Sequence, residues 1–402
     1  MNTEIAIVGG ARTPMAEYSG TPGYGKLKDV SAIELCAHAT KAAVERAKID
    51  TESVEHVVIG NALQTSADAI YGARHVGLRA GLPQATPAVT VNRLCGSGIE
   101  SVIQAAQRIQ LGEATTVLAG GMENMSQAPF VLRGARDGYH FGTQPQLEDM
   151  LFAALQDPLC GLFMAQTAEK IAKRLDISRE EQDAFAFRSH QLGAAAVKEG
   201  RFGEEIAPYV IETRKGSITV DTDDHIKPDT SVEKLAKLRA AFGKDGTVTA
   251  GNASGIVDGA AALVTTTLDR AKADGLDVWA TIRSWASVGV DPTEMGIGPV
   301  PAIRACLERA GMGLDQVDLF EINEAFSAQY LGCEKELGLD RDKVNVNGGA
   351  ISLGHPLGAT GTRLVLTLMY QLLRSGKRFG MASACIGGGQ GIAMLIENPQ
   401  AS

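Results

Sequence analysis

Two cysteines and one histidine carry the strongest chemical signal in this chain. Cys95 stands between an apolar run, Val89–Val91, and Gly96-Ser97-Gly98. Ile99, Val102, Ile103, Ala106 and Ile109 then follow at helical spacing. That order puts a thiol at a strand-to-helix turn. Glycines there permit close ligand approach, and the free N–H groups of the helix favour a thiolate. A small buried cysteine in a glycine-rich turn is the plain alternative, but the strand–Cys–Gly-x-Gly–helix order favours a nucleophile. Cys385 precedes Gly387-Gly388-Gly389, a poor strand and a good N–H cradle for an oxyanion. A second thiol in such a setting suggests an acid/base partner. His355 is bracketed by Gly354 and Pro356 in a loop that leads into a helix, where a functional imidazole is often held. The other six histidines (38, 56, 75, 140, 190 and 225) have no comparable setting and read as structural or surface residues.

Weaker candidates flank these. Asn323-Glu324-Ala325 follows the apolar run Leu319–Ile322 and mirrors Gly60-Asn61-Ala62. Asn323 can orient a water or an oxyanion; Glu324 reads equally as a base or as a turn-side salt bridge. Ser254, in Gly251-Asn-Ala-Ser-Gly255, offers a small hydroxyl in a turn. A Rossmann reading fails, because Gly9-Gly10-Ala11-Arg12 has the wrong spacing, and no P-loop lysine follows a glycine cluster.

The elements that must position these residues come in two sets. Strand and helix patterns alternate from Ile5 to Gly121, with Ser31 placed to cap a helix running to about Lys48. From about Glu123 to Thr249 strand signals thin out and helical patterns appear at 164–175 and 179–198. Charge is denser there, as in Lys227, Lys234, Lys237, Arg239 and Lys244. This reads as an inserted, largely helical subdomain. After about residue 275 the first pattern returns. The stretch 45–62 resembles 308–325, and 89–109 resembles the stretch from 344 with extra glycine loop. The expected architecture is α/β: a duplicated domain with a mostly parallel sheet covered on both faces, and the site between the halves. Its boundaries are 1–270, including the insertion at about 123–249, and 271–402.

Composition sets the outer limits. At 402 residues, 45% hydrophobic and 21% charged, the chain has a globular balance and room for two or three domains. With 38 basic and 47 acidic residues the net charge is −9, which gives no nucleic-acid footprint. Six dispersed cysteines without a CxxC pair argue against zinc and against a secreted disulfide framework. The start, Met1-Asn-Thr-Glu-Ile-Ala-Ile-Val, enters a strand directly, and no apolar run approaches 18 residues. A cytoplasmic protein without a membrane span is expected.

Taken together, "NRLCGSG", "GGMENMSQAP", "GTVTAGNASG", "NEAF", "NVNGGAISLGHPLGATG" and "CIGGGQG" resemble the thiolases over essentially the whole chain. "SADAIYGARHVGLRAGLP" and "GIGPVPA" are similar to 3-ketoacyl-CoA thiolases of the mitochondrial-matrix type and their bacterial relatives. The resemblance implies a five-layered αβαβα fold of two like halves plus a loop domain. It implies reversible, CoA-dependent cleavage of 3-ketoacyl-CoA, with coenzyme A and acyl-CoA as substrates and no permanent cofactor or metal. It implies Cys95 as the acylated nucleophile, His355 as its base and Cys385 as acid/base. Asn323 would hold a water that forms one oxyanion hole with His355, and the N–H groups of Cys95 and Gly387 would form the other. Coenzyme A would meet Phe242, with Ser254 along the pantetheine, and Lys227 and Thr230 near the nucleotide. Lys227 stands where the family often has Arg and loses the bidentate phosphate contact. Lys234, Lys237 and Arg239 form either a phosphate patch or a solvated helix face. A homotetramer, built as a dimer of dimers, is also implied.

One departure bears on substrate. Biosynthetic acetoacetyl-CoA thiolases carry His-Met-Gly in the loop domain, whereas this chain reads Leu162-Phe163-Met164-Ala165. Phe163 cannot hydrogen-bond a short ketoacyl oxygen and suits longer acyl chains. Acetyl-CoA acetyltransferase work is the alternative. Ketosynthase-type condensing enzymes usually lack the second cysteine, so Cys385 argues against them. A non-catalytic acyl-CoA binder would be expected to have lost Cys95 or His355.

Overall fold

A computed structural model describes residues 3–243 and 245–401. Met1 and Asn2, read above into the first strand, and Lys244 of the charged stretch lie outside the described residues. The first half runs β1 (Ile5–Arg12), α1 (Ala32–Ala47), β2 (His56–Gly60), α2 (Gly72–Ala80), β3 (Ala88–Val91), α3 (Ser97–Gln110) and β4 (Thr116–Glu123). An insertion carries α4 (Met164–Arg174) and α5 (Arg179–Lys198), and β5 (Val257–Thr267) completes the half. The second half repeats the order with β6 (Ala280–Gly289), α6 (Pro299–Ala310), β7 (Leu319–Ile322), α7 (Ser327–Leu337), α8 (Leu357–Ser375), β8 (Phe379–Ile386) and β9 (Gln390–Glu397).

The strands form one sheet in the order β7-β8-β9-β6-β1-β5-β4-β2-β3, with the short Ala16–Glu17 paired to β5. The two halves are laid out alike from the centre outward. Where the first half has β3, the second has an isolated bridge between Val344 and Phe320. The halves join through Ile5–Ile7 of β1 against Ala280–Ile282 of β6.

Period-2 alternation decides which side each strand residue faces. Ala6 and Val8 of β1 pack with α1 and α2, whereas Ile5 and Ile7 pack with α3 and α8. The same inner cluster takes Ala382, Ala384 and Ile386 from β8 and Ile392, Met394 and Ile396 from β9. Helices α4, α6 and α7 cover the far face of the second half. The layers therefore run helix, sheet, helix, sheet, helix, with α3 and α8 in the middle. Those two helices cross where a Cβ on Gly98 would lie 2.3 Å from the Thr362 nitrogen and one on Gly361 2.3 Å from the Ile99 nitrogen. Only glycine permits that approach.

Two expectations are corrected. The sheet is mixed rather than mostly parallel. Pairs β1·β5, β4·β5, β1·β6, β6·β9 and β8·β9 are antiparallel, and β2·β3, β2·β4 and β7·β8 are parallel. Strand β5, VDGAAALVTTT, is buried nearly throughout, so it lacks the alternation that marks a strand. The glycine pairs of β1 and β4 lie inside their strands. A Cβ on Gly9 would sit 2.5 Å from that of Ala47, and one on Gly121 2.0 Å from the Gly358 carbonyl oxygen, so both let a helix close on the sheet. The insertion is not largely helical. Beside α4 and α5 it holds three hairpins, pairing Phe130–Leu132 with Leu147–Asp149, Gln156–Asp157 with Leu162–Phe163, and Tyr209–Thr213 with Gly216–Val220. Among the described residues no helix is long and apolar enough to cross a membrane.

Candidate active site

Cys95 lies on a single 3-10 turn, Leu94–Gly96, between β3 and α3. Leu94 is left-handed, with φ at 47°, a conformation that needs support from its surroundings. The Leu94 N–H donates to Asn92 Oδ1 at 2.9 Å, and Ser97 Oγ donates to the Leu94 carbonyl at 2.7 Å. Backbone N–H groups of Gly387 and of Cys95 itself face the sulfur. They do not make it a resting thiolate. Burial outweighs them and pushes the thiol up to about 11, with Glu123 adding in the same direction. The expected thiolate therefore has to be formed by proton transfer to a nearby base.

Cys385, at the end of β8, is fully buried. Burial and then the neighbouring Cys95 raise its pKa far above that of an ordinary thiol, so it rests as S–H. It packs with Met295 and Ala325 and against Met164 and Phe326. Gly388 and Gly389, with φ of 80° and 82°, turn the chain between β8 and β9 and free Gly387 to face Cys95.

His355 is held from both sides. Thr360 Oγ1 donates to the Pro356 carbonyl at 3.0 Å, so toward His355 it can only accept. The His355 Nδ1–H accordingly donates to it at 2.6 Å, which leaves the lone pair on Nε2. Asn323 Nδ2 lies 3.3 Å from that Nε2. Burial first, and the Arg363 charge second, pull the imidazole down to about 3. It is neutral, with its accepting nitrogen turned to the site. Asn323 itself is buried, and its Oδ1 has no partner. An orphaned buried acceptor of this kind is where an ordered water binds.

The mirror of Asn323 is Asn61, one residue past β2 as Asn323 is one past β7. Its Nδ2 donates to Glu123 Oε1 at 2.9 Å. Glu123 also accepts from the N–H groups of Ala62, Leu63 and Gly358, so it ties the β2 loop to the start of α8. Burial raises it to about 7. Glu324 is neither free base nor surface salt bridge. Its buried carboxylate accepts from Ser189 Oγ at 2.7 Å, Asn345 Nδ2 at 2.8 Å and the Ile351 N–H at 3.2 Å, which anchors the glycine loop before His355.

A cavity of about 330 Å³ opens onto His355. His355, Ser254, Phe242, Phe163, Met164 and Phe326 line it. Phe163 stands between Phe152 and Phe242, with ring centroids 4.7 and 5.4 Å away, and these rings form one apolar wall. Lys227 and Thr230 are not among the lining residues. The Lys227 ammonium donates to Glu17 Oε2 at 2.9 Å and to Tyr24 Oη at 2.7 Å. Lys234, Lys237 and Arg239 are exposed. Lys170 forms ion pairs with Asp291 and Glu294 on the turn before α6.

Two family models match in tandem: "Thiolase, N-terminal domain" over residues 5–269 and "Thiolase, C-terminal domain" over 276–398. The chain belongs to the thiolase family. It is 48% identical to human mitochondrial 3-ketoacyl-CoA thiolase over 394 residues, covering 98% of each chain. It is 47% identical to an acetyl-CoA acetyltransferase of Chromobacterium violaceum, covering 98% of this chain and 100% of that one. The crystal structure of the human enzyme in complex with CoA superimposes with a TM-score of 0.94 at 48% identity, covering 98% of each chain. The five-layered fold is that of a thiolase.

In this thiolase Gly387 and Cys385 face Cys95, Asn323 meets His355, and His355, Ser254 and Phe242 share one cavity. Sequence reasoning missed Thr360 and Glu123. Thr360 had one usable signal, its place five residues after His355 on the first turn of the following helix. Glu123 sits at a strand end beside Gly120-Gly121, with nothing in its neighbours to distinguish it.

Proposed function

We propose that the chain cleaves 3-ketoacyl-CoA with coenzyme A to give acetyl-CoA and a shortened acyl-CoA, by a ping-pong route through acyl-Cys95. The observation that carries this is the neutral His355 imidazole, its Nδ1–H held by Thr360 so that Nε2 is the accepting nitrogen, together with two thiols that burial keeps protonated. His355 Nε2 takes the Cys95 proton as the sulfur attacks the 3-keto carbon. The N–H groups of Cys95 and Gly387, or Asn323's water with His355, stabilise the oxyanion. The C2–C3 bond breaks, and its electron pair becomes the enolate of acetyl-CoA, which Cys385 protonates. In the second half the CoA thiol returns a proton to Cys385. Its sulfur takes the acyl group, and Cys95 leaves and recovers its proton from His355. Run backward, two acetyl-CoA molecules condense.

Phe242 and Ser254 are assigned to the pantetheine by their place on the cavity wall. Lys227 and Thr230 are assigned to the nucleotide end, where Lys227 acts as one member of its pair with Glu17. We keep the division at 1–270 and 271–402, with the insertion at about 123–249. The repeated strand order supports it. A homotetramer and a cytoplasmic site of action complete the proposal. A mitochondrial setting is the alternative, because the human relative is named as mitochondrial.

The aromatic wall at Phe163 favours medium and long acyl chains. The kinship with acetyl-CoA acetyltransferases keeps acetoacetyl-CoA as the second substrate reading. Thiolysis across a ketoacyl-CoA series tests both, with Cys95→Ala as control. The expected result is highest kcat/KM on medium or long chains and no turnover in Cys95→Ala. An active Cys95→Ala enzyme would sink the mechanism, and a sharp preference for acetoacetyl-CoA would overturn the chain-length reading.

A further inference from the structure

The two partners of His355 come from different elements. Asn323 follows directly on β7, and Thr360 is on the first turn of α8. A single buried ion pair links those same elements: Arg363 Nη1 on α8 donates to Glu321 Oε2 on β7 at 2.9 Å, with both side chains about 3% exposed or less. Arg363 lies one helical turn beyond Thr360, and Glu321 two residues before Asn323. Among the described residues Arg363 Nη2 has no partner, so the pair is not part of a fully satisfied structural network.

We propose that Arg363 and Glu321 are positioning residues for the Asn323–His355–Thr360 array, setting the distance between the strand that presents Asn323 and the helix that presents Thr360. This rests on His355 being the base. An error of about 1 Å in a proton acceptor is enough to lower turnover about 100-fold.

Other charges face the pair and the site. Glu324 from the loop after β7 and Glu205 from the insertion act on Glu321. Glu205 is bound in turn by Arg12 of β1 and by Thr367 of α8. Glu123 of β4 and Cys385 of β8 are the groups facing Cys95.

Removing one partner strands a buried charge, so the primary variant removes both: Arg363→Met with Glu321→Leu. Glu321→Gln, which keeps the shape and an acceptor, is the second. We expect folded proteins whose KM stays within about threefold while kcat falls about 10- to 100-fold. The rate of Cys95 alkylation by iodoacetamide should shift to higher pH, towards the thiol's own value, as the base loses its place, and most cleanly in Glu321→Gln, which keeps the Arg363 charge that lowers His355. A double variant with wild-type kcat and an unshifted alkylation profile overturns the proposal. So does a kcat that falls only with the folded fraction. His355→Ala separates the premise from the inference. If it alkylates like the wild type at neutral pH, the base assignment fails and the clamp with it. If it does not, while the double variant behaves as wild type, the clamp alone fails.

Discussion

Replacing Thr360 by Val tests the histidine assignment with little change in shape. Val is isosteric with Thr and helical φ/ψ suits both, but it removes the oxygen that receives the His355 Nδ1–H at 2.6 Å. The imidazole is buried, so the N–H is left without an acceptor, at a cost of about 1–3 kcal/mol. The cost falls on the tautomer that keeps the Nε2 lone pair available. At about 1.4 kcal/mol per tenfold, kcat should fall about 5- to 150-fold. Thr360 is fully buried and does not line the cavity, so KM should hold within about twofold. The assay is steady-state thiolysis together with the rate of acetyl-enzyme formation. Thr360→Ser keeps the hydroxyl and should recover most of the loss. A folded Thr360→Val enzyme with wild-type kcat, or a Thr360→Ser enzyme as slow as Thr360→Val, would refute the tautomer argument.

Phe163→Ala removes the middle ring of the wall. It should forfeit about 0.5–1.5 kcal/mol for each of two aromatic contacts and lower Tm. It should also lower kcat/KM for long chains relative to acetoacetyl-CoA by about tenfold, read from the same substrate series; an unchanged ratio would count against the wall as a selector. Gly98→Ala places a methyl group against the backbone of α8, so it should cost at least about 1–3 kcal/mol and reduce soluble yield. Wild-type Tm would show that the helices can part freely. His190 is held down to about 4 by burial, against about 6.5 when unfolded. Between those values the unfolded chain binds the proton and the folded one does not, so this group's contribution is complete above about 6.5 and is lost as pH falls towards 4. His190→Gln keeps an acceptor for the Lys227 N–H and should flatten the fall in unfolding free energy between pH 6.5 and 4, by on the order of 3 kcal/mol across that window, read as a flatter Tm profile. Parallel melting profiles would reject this.

Cys95, His355, Cys385 and Asn323 could be picked out of the chain as candidates because each stands at a strand end or glycine loop leading into a helix. Local punctuation of that kind survives without coordinates. The duplicated order of elements and the Ser31 cap were readable for the same reason. What escaped was set by contacts between distant segments. Strand direction in β5 and β9 depends on where the insertion and the Gly387–Gly389 turn return the chain. Glu324 reads as a base until Ser189, Asn345 and Ile351 are seen to occupy it. Lys227 reads as a free phosphate ligand until Glu17, 210 residues away, is found on its ammonium. The thiolate expected at Cys95 failed on magnitude, since burial outweighs the two N–H groups.

The layout of the halves has an evolutionary consequence. Cys95 stands two residues before α3, and His355 stands two residues before α8, the corresponding helix of the second copy. The proposed nucleophile and the proposed base thus descend onto one and the same position of a repeated unit. Two separate, identical half-chains would have to present matching side chains there, either paired thiols or paired imidazoles. Once both copies are encoded in a single gene, each can mutate without altering its sister. A proton donor–acceptor pair of unlike chemistry then becomes attainable, and the symmetry that built the cleft is kept only in the scaffold.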